Sequence, residues 1–399
     1  MAPDARRVAI VSAVRTPIGK YGGKLRGVRA VDLGALTIRS ALERAHTAPD
    51  EIREVVFGHC IQAGTGQNPA RQAARAAGIP DRSGAVTVNM VCGSGMKAIL
   101  LGAAEVQSHD FDLVVVGGME SMSSAPYLVP SGARWGLKFG GVALDDAMQR
   151  DALLDAYGEH EAMGFAGERV AQSYGLHRAD VDAFAVRSHR EASRAAADGT
   201  FSSEIVPVPE SLTPGGPGLT LDEGPRATTT LEGLAKLKPS FLPNGLLTAG
   251  NSSQLSDGAS ALVLASAAAV EAKGLAPLAW IHSSEVGGVE PSRVMEAPIP
   301  TVRAHLARVG LQPSDLDRVE HNEAFASASL AVQRAFGFSD RQFNVHGGAV
   351  ALGHPIGSSG ARITVTLLHE LRRSGTHRGL ATLCMGGGNG LSLIIERAE

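Results

Sequence analysis

Cys92 stands in Asn89-Met90-Val91-Cys92-Gly93-Ser94-Gly95-Met96-Lys97, between an apolar stretch and a run of good helix formers. Residues 84–90 read as a short strand, and residues 96–107 carry apolar side chains at helical spacing. The spacing predicts a cysteine at a strand-to-helix turn, beside the first free N–H groups of the helix. Those groups and the helix dipole favour thiolate over thiol, which makes the sulfur a nucleophile near neutral pH. Its flanking glycines let a bulky group approach. A lone cysteine is more commonly a small buried hydrophobe, so the reading depends on its partners.

Three stretches in the second half supply candidates. His346-Gly347-Gly348-Ala349-Val350-Ala351-Leu352-Gly353-His354-Pro355-Ile356-Gly357 is a glycine-dense loop with two histidines. Leu383-Cys384-Met385-Gly386-Gly387-Gly388-Asn389-Gly390 puts a cysteine before three glycines, and His321-Asn322-Glu323-Ala324-Phe325 adds polar groups. Histidine draws a proton from a thiol readily, and glycine-borne N–H groups can bind a developing oxyanion. Singly, each stretch has an ordinary reading: a structural histidine, a filler cysteine, an asparagine capping the next helix. Cys60 has no glycine-rich loop immediately after it and reads as structural.

Positioning these groups takes an α/β framework. Residues 8–14 read as a strand, 31–45 as an amphipathic helix, 49–58 as a turn running into a strand, 69–77 as an Ala-rich helix and 112–118 as a buried strand. Alternation of this kind indicates a parallel or mixed sheet with helices on both faces. From 121 to 250 Pro, Gly, Met and charge become frequent and strands sparse, with helices over 162–174 and 178–198. This stretch reads as an insertion covering the sheet, and regular structure resumes near 258–264. The chain also repeats itself weakly: residues 313–319 echo 49–55. A strand over 342–345, a loop through Gly357-Ser358-Ser359-Gly360, a helix over 361–373 and a strand over 379–383 parallel the unit around Cys92. The expected division is an N-terminal α/β half over 1–120 completed by about 251–272, an inserted loop domain over 121–250, and a C-terminal α/β half over 273–399.

Composition excludes several classes. A chain of 399 residues with 44% hydrophobic residues, 19% charged residues and 48 glycines buries a large α/β core. Its net charge of −3 argues against a nucleic-acid surface. The cysteines Cys60, Cys92 and Cys384 are odd in number and far apart, so neither a disulfide framework nor a zinc site is expected. No metal is read: no histidine pair is spaced as on a zinc helix, and carboxylates do not cluster. Gly93-Ser94-Gly95 lacks the rest of a dinucleotide fingerprint. No leader peptide is read in residues 1–15, and the apolar tract 259–270 is too short to cross a bilayer. A soluble, cytoplasmic protein is expected.

Taken together, the segments resemble the thiolases over nearly the whole chain, and among them the biosynthetic acetoacetyl-CoA type. The matching stretches are Gly66-Gln67-Asn68-Pro69-Ala70-Arg71, Val91-Cys92-Gly93-Ser94-Gly95, Gly118-Met119-Glu120-Ser121-Met122-Ser123 and Thr248-Ala249-Gly250-Asn251-Ser252-Ser253, followed by Asn322-Glu323-Ala324-Phe325-Ala326, Gly353-His354-Pro355-Ile356-Gly357 and Cys384-Met385-Gly386-Gly387-Gly388. The resemblance implies a five-layer αβαβα fold of duplicated halves, and reversible condensation of two acetyl-CoA to acetoacetyl-CoA and CoA. It implies Cys92 as the acyl-accepting nucleophile, His354 as the base for its thiol, and Cys384 as the acid/base at the α-carbon. One oxyanion site is implied at His354 and a water held by Asn322, the other at the backbone N–H groups of Cys92 and Gly386. Cys384 is expected to titrate near the working pH. The resemblance implies that the inserted domain carries the coenzyme A and places Arg226, Ser253, Met163, Phe241 and Phe325 along its path, with CoA thioesters as substrates and no further cofactor. A homotetramer is expected, because 125–140 resembles the loop that joins dimers.

This sequence departs from the family pattern twice. Gly158-Glu159-His160-Glu161-Ala162-Met163-Gly164 replaces Gly-Tyr-His-Met-Gly, with Ala166-Gly167-Glu168 for the following Thr-Ala-Glu, and Val294-Met295-Glu296-Ala297-Pro298 stands where Met-Gly-Thr-Gly-Pro is common. Both stretches border the acyl and pantetheine pocket, so chain length is the open property. Four-carbon specificity is expected, with a broader 3-ketoacyl-CoA thiolase of β-oxidation as the alternative within the family. A non-catalytic CoA-binding scaffold is the alternative outside it.

Overall fold

The computed structural model describes residues 7–108, 110–213 and 215–399. Residues 1–6, part of the stretch in which no leader is read, lie outside the described residues. The first half comprises β1 (Val8–Arg15), β2 (Gly19–Lys20), α1 (Ala30–Arg44), β3 (Glu54–Gly58), α2 (Pro69–Ala76), β4 (Gly84–Val88), α3 (Ser94–Gln107) and β5 (Leu113–Ser121). The following region carries the short ribbon β6 (Tyr127–Leu128) and β7 (Asp145–Asp146), then α4 (Met163–Ser173), α5 (Arg178–Ala197) and α6 (Leu231–Ala235). The chain returns to the first half through β8 (Ser256–Ser266) and α7 (Ala267–Lys273). The second half comprises β9 (Ala279–Gly288), α8 (Pro298–Val309), β10 (Arg318–His321), α9 (Ala326–Phe336), α10 (Ala349–Leu352), α11 (Ile356–Ser374), β11 (Arg378–Met385) and β12 (Asn389–Arg397).

The strand order is β10-β11-β12-β9-β1-β8-β5-β3-β4. Read outward from the centre, β1-β8-β5-β3 and β9-β12-β11-β10 are the same motif. In both, the outermost pair, β3 with β5 and β10 with β11, is parallel and the inner pairs are antiparallel. The halves meet where β1 pairs antiparallel with β9 at Val8↔Ile281, Ala9↔Trp280 and Ile10↔Ala279. Period-2 alternation in fully buried strands sorts side chains to two faces. Val115 and Val263 join Leu33 and Ile38 of α1 on the outer face, whereas Val114, Val116, Leu262 and Leu264 face inward. The inward set packs on Ile99 of α3 and Ile363 and Leu367 of α11, which also contact Leu383 and Leu391 of the second half. Val302 of α8 and Val332 of α9 cover the remaining face with Val319, Leu380 and Ile394. The layers are therefore α1/α2, half-sheet, α3/α11, half-sheet, α8/α9, the expected five-layer order.

Two local expectations are corrected. Residues 357–360 are not a loop: they form the first turn of α11, which starts directly after Pro355. Their small size is what the position requires, since a Cβ on Gly357 would meet the Met119 carbonyl oxygen at 2.7 Å and the Cys60 nitrogen at 2.9 Å. Residues 342–345 are not a full strand either. Only Phe343 pairs with Val319, because Asn344 turns to φ 47° and its side chain accepts from His321 N–H (2.8 Å) and donates to His321 C=O (2.9 Å), taking over the ladder.

Arg15 ties the intervening region to the sheet. Fully buried at the end of β1, it donates to Glu204 (2.6 Å) and in a fork to Asp222 (2.7 and 3.0 Å), while Ile18 N–H also reaches Asp222 (2.8 Å). Removing one member of a buried charge group leaves the others uncompensated. Arg15→Leu is expected to lower the unfolding free energy by about 3–5 kcal/mol, read by urea denaturation. A loss below about 1 kcal/mol would deny the clamp.

Candidate active site

The residues preceding α3 form a turn that other segments hold in place. Val91 adopts φ 48°, a region that β-branched residues avoid at a cost of order 1–3 kcal/mol. Asn89 accepts from Val91 N–H (3.0 Å) and donates to Cys60 C=O (3.1 Å), and Ser94 Oγ accepts from Met90 N–H (2.9 Å) while donating to Val91 C=O (2.6 Å). This strained turn projects Cys92 just ahead of α3, which begins at Ser94 rather than at 96.

His354 sits between Gly353 and the start of α11, its N–H donating to Gln254 C=O (2.9 Å). Its Nδ1 lies 2.5 Å from Ser359 Oγ, whose hydroxyl in turn donates to Pro355 C=O (2.9 Å). With the hydroxyl proton thus committed, Ser359 accepts from Nδ1–H, and the other ring nitrogen, Nε2, is left as the free base. Asn322 Nδ2 approaches that Nε2 at 3.4 Å, and Asn322 Oδ1 is buried without a protein partner. An orphaned buried amide oxygen suits a bound water, as expected at this position.

Cys384, from β11, and Gly386, from the turn into β12, approach from the second half. A single cavity of about 60 Å³ is lined by Cys92, His354, Cys384 and Gly386 together with Met163, Ser253 and Phe325. Backbone N–H groups of Gly386 and of Cys92 itself lie near enough to the Cys92 sulfur to favour its anion, and a thioester carbonyl bonded to that sulfur would bring its oxygen toward the same donors. Two thiols, an imidazole and paired N–H donors from both halves therefore converge on one small apolar space.

Residues 8–268 match the family described as "Thiolase, N-terminal domain" and residues 275–397 match "Thiolase, C-terminal domain". The chain belongs to the thiolase family. It is 48% identical over 391 residues to an acetyl-CoA acetyltransferase of Pseudomonas aeruginosa, covering 98% of this chain and 99% of that protein. It is 44% identical to the cytosolic acetyl-CoA acetyltransferase of Rattus norvegicus, covering 98% of each. Among solved structures, an acetyl-CoA acetyltransferase of Bacillus anthracis superposes with a TM-score of 0.95 at 42% identity, covering 98% of this chain and 99% of that one. A thiolase of Ascaris suum in complex with coenzyme A superposes with a TM-score of 0.92 at 41% identity, covering 98% and 100%.

In this thiolase the ionisation states differ from the sequence expectation. Burial pushes the Cys92 thiol up to about 12, against the lowering effect of the Gly386 and Cys92 N–H groups. Burial likewise raises Cys384 to about 12, with the neighbouring Cys92 adding to the rise. The resting enzyme holds two thiols, not a helix-stabilised thiolate, because the cavity withholds more solvation than the turn's dipoles return. Burial depresses His354 from 6.5 to about 3, with Arg362 adding to the fall, so the imidazole is neutral. A base neutral above about pH 3 and a thiol protonated below about pH 12 give no titration in between. Acylation kcat/KM is accordingly expected to stay flat from about pH 5 to about pH 9. An acid limb centred near 6.5 would show instead that His354 titrates as an ordinary histidine.

The residues assigned to coenzyme A are distributed unevenly. Met163, Ser253 and Phe325 line the cavity. Phe241 stands behind it, edge-on to Phe325 (5.9 Å) and Phe165 (6.4 Å). Arg226 is exposed, outside the cavity wall, with its N–H donating to His189 Nδ1 (3.2 Å). His160, displaced by the extra residue, is exposed and faces Asp155 C=O.

Sequence reasoning missed the positioning roles of Glu120 and Ser359. Fully buried Glu120 accepts from Cys60 N–H (3.1 Å), Ile61 N–H (3.3 Å) and Gly357 N–H (2.9 Å), and lies 3.2 Å from His59. It thereby joins the strand end behind Cys92 to the helix start behind His354. The available signal was a lone carboxylate at the end of a strand otherwise continuously apolar. Among the described residues, no group of three or more His, Cys, Asp or Glu side chains is placed to hold a metal, and no helix is long and apolar enough to cross a membrane.

Proposed function

We propose that this thiolase is an acetyl-CoA C-acetyltransferase, interconverting two acetyl-CoA with acetoacetyl-CoA and CoA through an acetyl group carried on Cys92. The observation that carries the reading is the shared cavity, with Cys92, His354, Cys384 and Gly386 on one wall system. The names of the relatives support the same substrates.

In the first half-reaction the Cys92 sulfur bonds to the thioester carbonyl carbon while His354 Nε2 takes the thiol proton. Because the free thiol is so weakly acidic here, proton and bond move together, and the charge passes to the carbonyl oxygen rather than resting on sulfur. That oxygen meets His354 and the Asn322-held water, or the Cys92 and Gly386 N–H groups. The carbon–sulfur bond to CoA then breaks, and the Cys384 thiol gives its proton to the leaving sulfur, becoming the base. In the second, Cys384 takes an α-proton from a second acetyl-CoA, and the enolate carbon attacks the acetyl-Cys92 carbonyl. Cys92 departs with the proton held on His354. Cys384 becomes a base only when its proton has gone to the departing CoA sulfur, so the base forms as the nucleophile is loaded.

Coenzyme A thioesters are the only small molecules this chemistry requires. The region 121–250 covers the coenzyme A path, with Met163 and Ser253 closest to the reacting end. The enzyme acts in the cytoplasm as a homotetramer. The exposed apolar side chains Tyr127, Val129, Trp135, Leu137 and Phe139 on one arm support an assembly larger than a monomer. Replacing Trp135 and Phe139 with serine is expected to yield a smaller species in analytical ultracentrifugation, and an unchanged tetramer would remove the arm from the interface. Steady-state thiolysis across a ladder of 3-ketoacyl-CoA lengths tests the substrate itself: faster turnover of longer chains than of the four-carbon substrate would refute it.

A further inference from the structure

The segment following β9 carries this chain's second departure from the family pattern, and it lies in the cavity wall. Where the pattern has glycine, Met295 places a thioether whose Sδ is 3.6 Å from the Cys384 sulfur. Met295 is only 3% exposed and lines the cavity beside Val294, Phe325 and Cys384. Methionine is flexible enough to yield to a ligand, but here its surroundings restrain it. The short helical turn Pro291–Glu296 is held by the Val289 N–H donating to Gly388 C=O (2.7 Å) and the Ala297 N–H donating to Val294 C=O (3.1 Å), and Glu296 pairs with Arg293. Behind it, Met295 and Val294 belong to the same packed cluster as Val302 and Leu306 of α8.

The size of the remaining space is decisive. A cavity of about 60 Å³ holds roughly four to six water-sized groups, taking about 10–15 Å³ for each. That is the scale of the two acetyl units that the reaction joins. Met295 occupies the end of this space beside Cys384, which a longer hydrocarbon tail would have to enter.

Resting on the acetyltransferase reading, we infer that Met295 is the residue that confines this thiolase to short acyl groups, by filling the end of the acyl cavity next to Cys384. Each methylene admitted or refused by an apolar pocket changes kcat/KM by roughly 10–200-fold, so one side chain of this length governs the difference between four- and six-carbon substrates.

The test is thiolysis of four-, six- and eight-carbon 3-ketoacyl-CoA by the wild type and by Met295→Leu, Met295→Val and Met295→Ala. The readout is the ratio of kcat/KM on six or eight carbons to that on four. Leucine, which conserves volume, is expected to keep the wild-type ratio. Valine and then alanine are expected to raise it progressively, alanine by at least about tenfold. Should alanine fail to fold, the valine variant alone decides the matter. An unchanged ratio in variants that still turn over the four-carbon substrate overturns the role of Met295 and leaves the acetyltransferase reading standing. Absence of thiolysis by the wild type on every length overturns both.

Discussion

Replacing Cys92 with serine lowers thiolysis of acetoacetyl-CoA by roughly four to six orders of magnitude, the range seen when a covalent nucleophile is removed. The hydroxyl is nearly the size of the thiol, so the Val91 turn, with its N–H donating to Asn89 and its carbonyl accepting from Ser94, remains, and the loss is chemical rather than structural. Its magnitude follows from the cavity. A thiol already raised to about 12 reacts only because sulfur is intrinsically nucleophilic, and a hydroxyl far less acidic lacks that advantage before a neutral imidazole. The check is intact-protein mass spectrometry alongside kinetics: wild type incubated with acetyl-CoA carries one acetyl group and the variant none. Activity within tenfold of wild type in a correctly folded variant would exclude a covalent route through this residue.

Cys384→Ala separates the two half-reactions. Condensation falls by about 10²–10⁴, the range for a positioned acid/base, whereas acetyl transfer to Cys92 loses only the proton donor to the departing CoA sulfur and remains detectable, because its nucleophile, base and oxyanion donors are intact. The acetylated enzyme should therefore accumulate with acetyl-CoA and persist, while wild type turns over. The alternative outcome, loss of Cys92 acetylation equal to the loss of condensation, would mean that Cys384 does not act mainly at the α-carbon. Cys60, 2% exposed and bonded to the Asp151 carbonyl, supplies the internal control, since its replacement touches neither half-reaction.

Local pattern made much of this legible. The buried strands, the echo of residues 49–55 at 313–319, and the glycine-bracketed cysteines are written in short windows, and these windows carried both the fold class and the constellation of Cys92, His354, Cys384 and Asn322. What was misread depends on distance in space. Gly357-Ser358-Ser359-Gly360 has the composition of a loop, yet it is helical because Gly58 and Gly118 press against it from another strand layer. The helix dipole at Cys92 is a local signal, whereas the burial that outweighs it is assembled from Phe325, Met295, Ile356 and Met385, all more than 200 residues further along the chain. Ser359 and Glu120 carry no motif of their own. Their roles follow from which backbone groups the fold leaves facing them.

The pairing of β1 with β8 and β9 has a consequence for biogenesis. β1 leaves the ribosome ahead of every other described strand yet ends up at the middle of the sheet, and both of its lateral partners, Ser256–Ser266 and Ala279–Gly288, emerge roughly 250 residues later. At about 5–20 residues per second, that is a delay of some tens of seconds. Until then an apolar strand with two vacant edges must be shielded from its neighbours on the polysome. Prematurely terminated chains ending before Ser256 should therefore aggregate rather than persist as a free half.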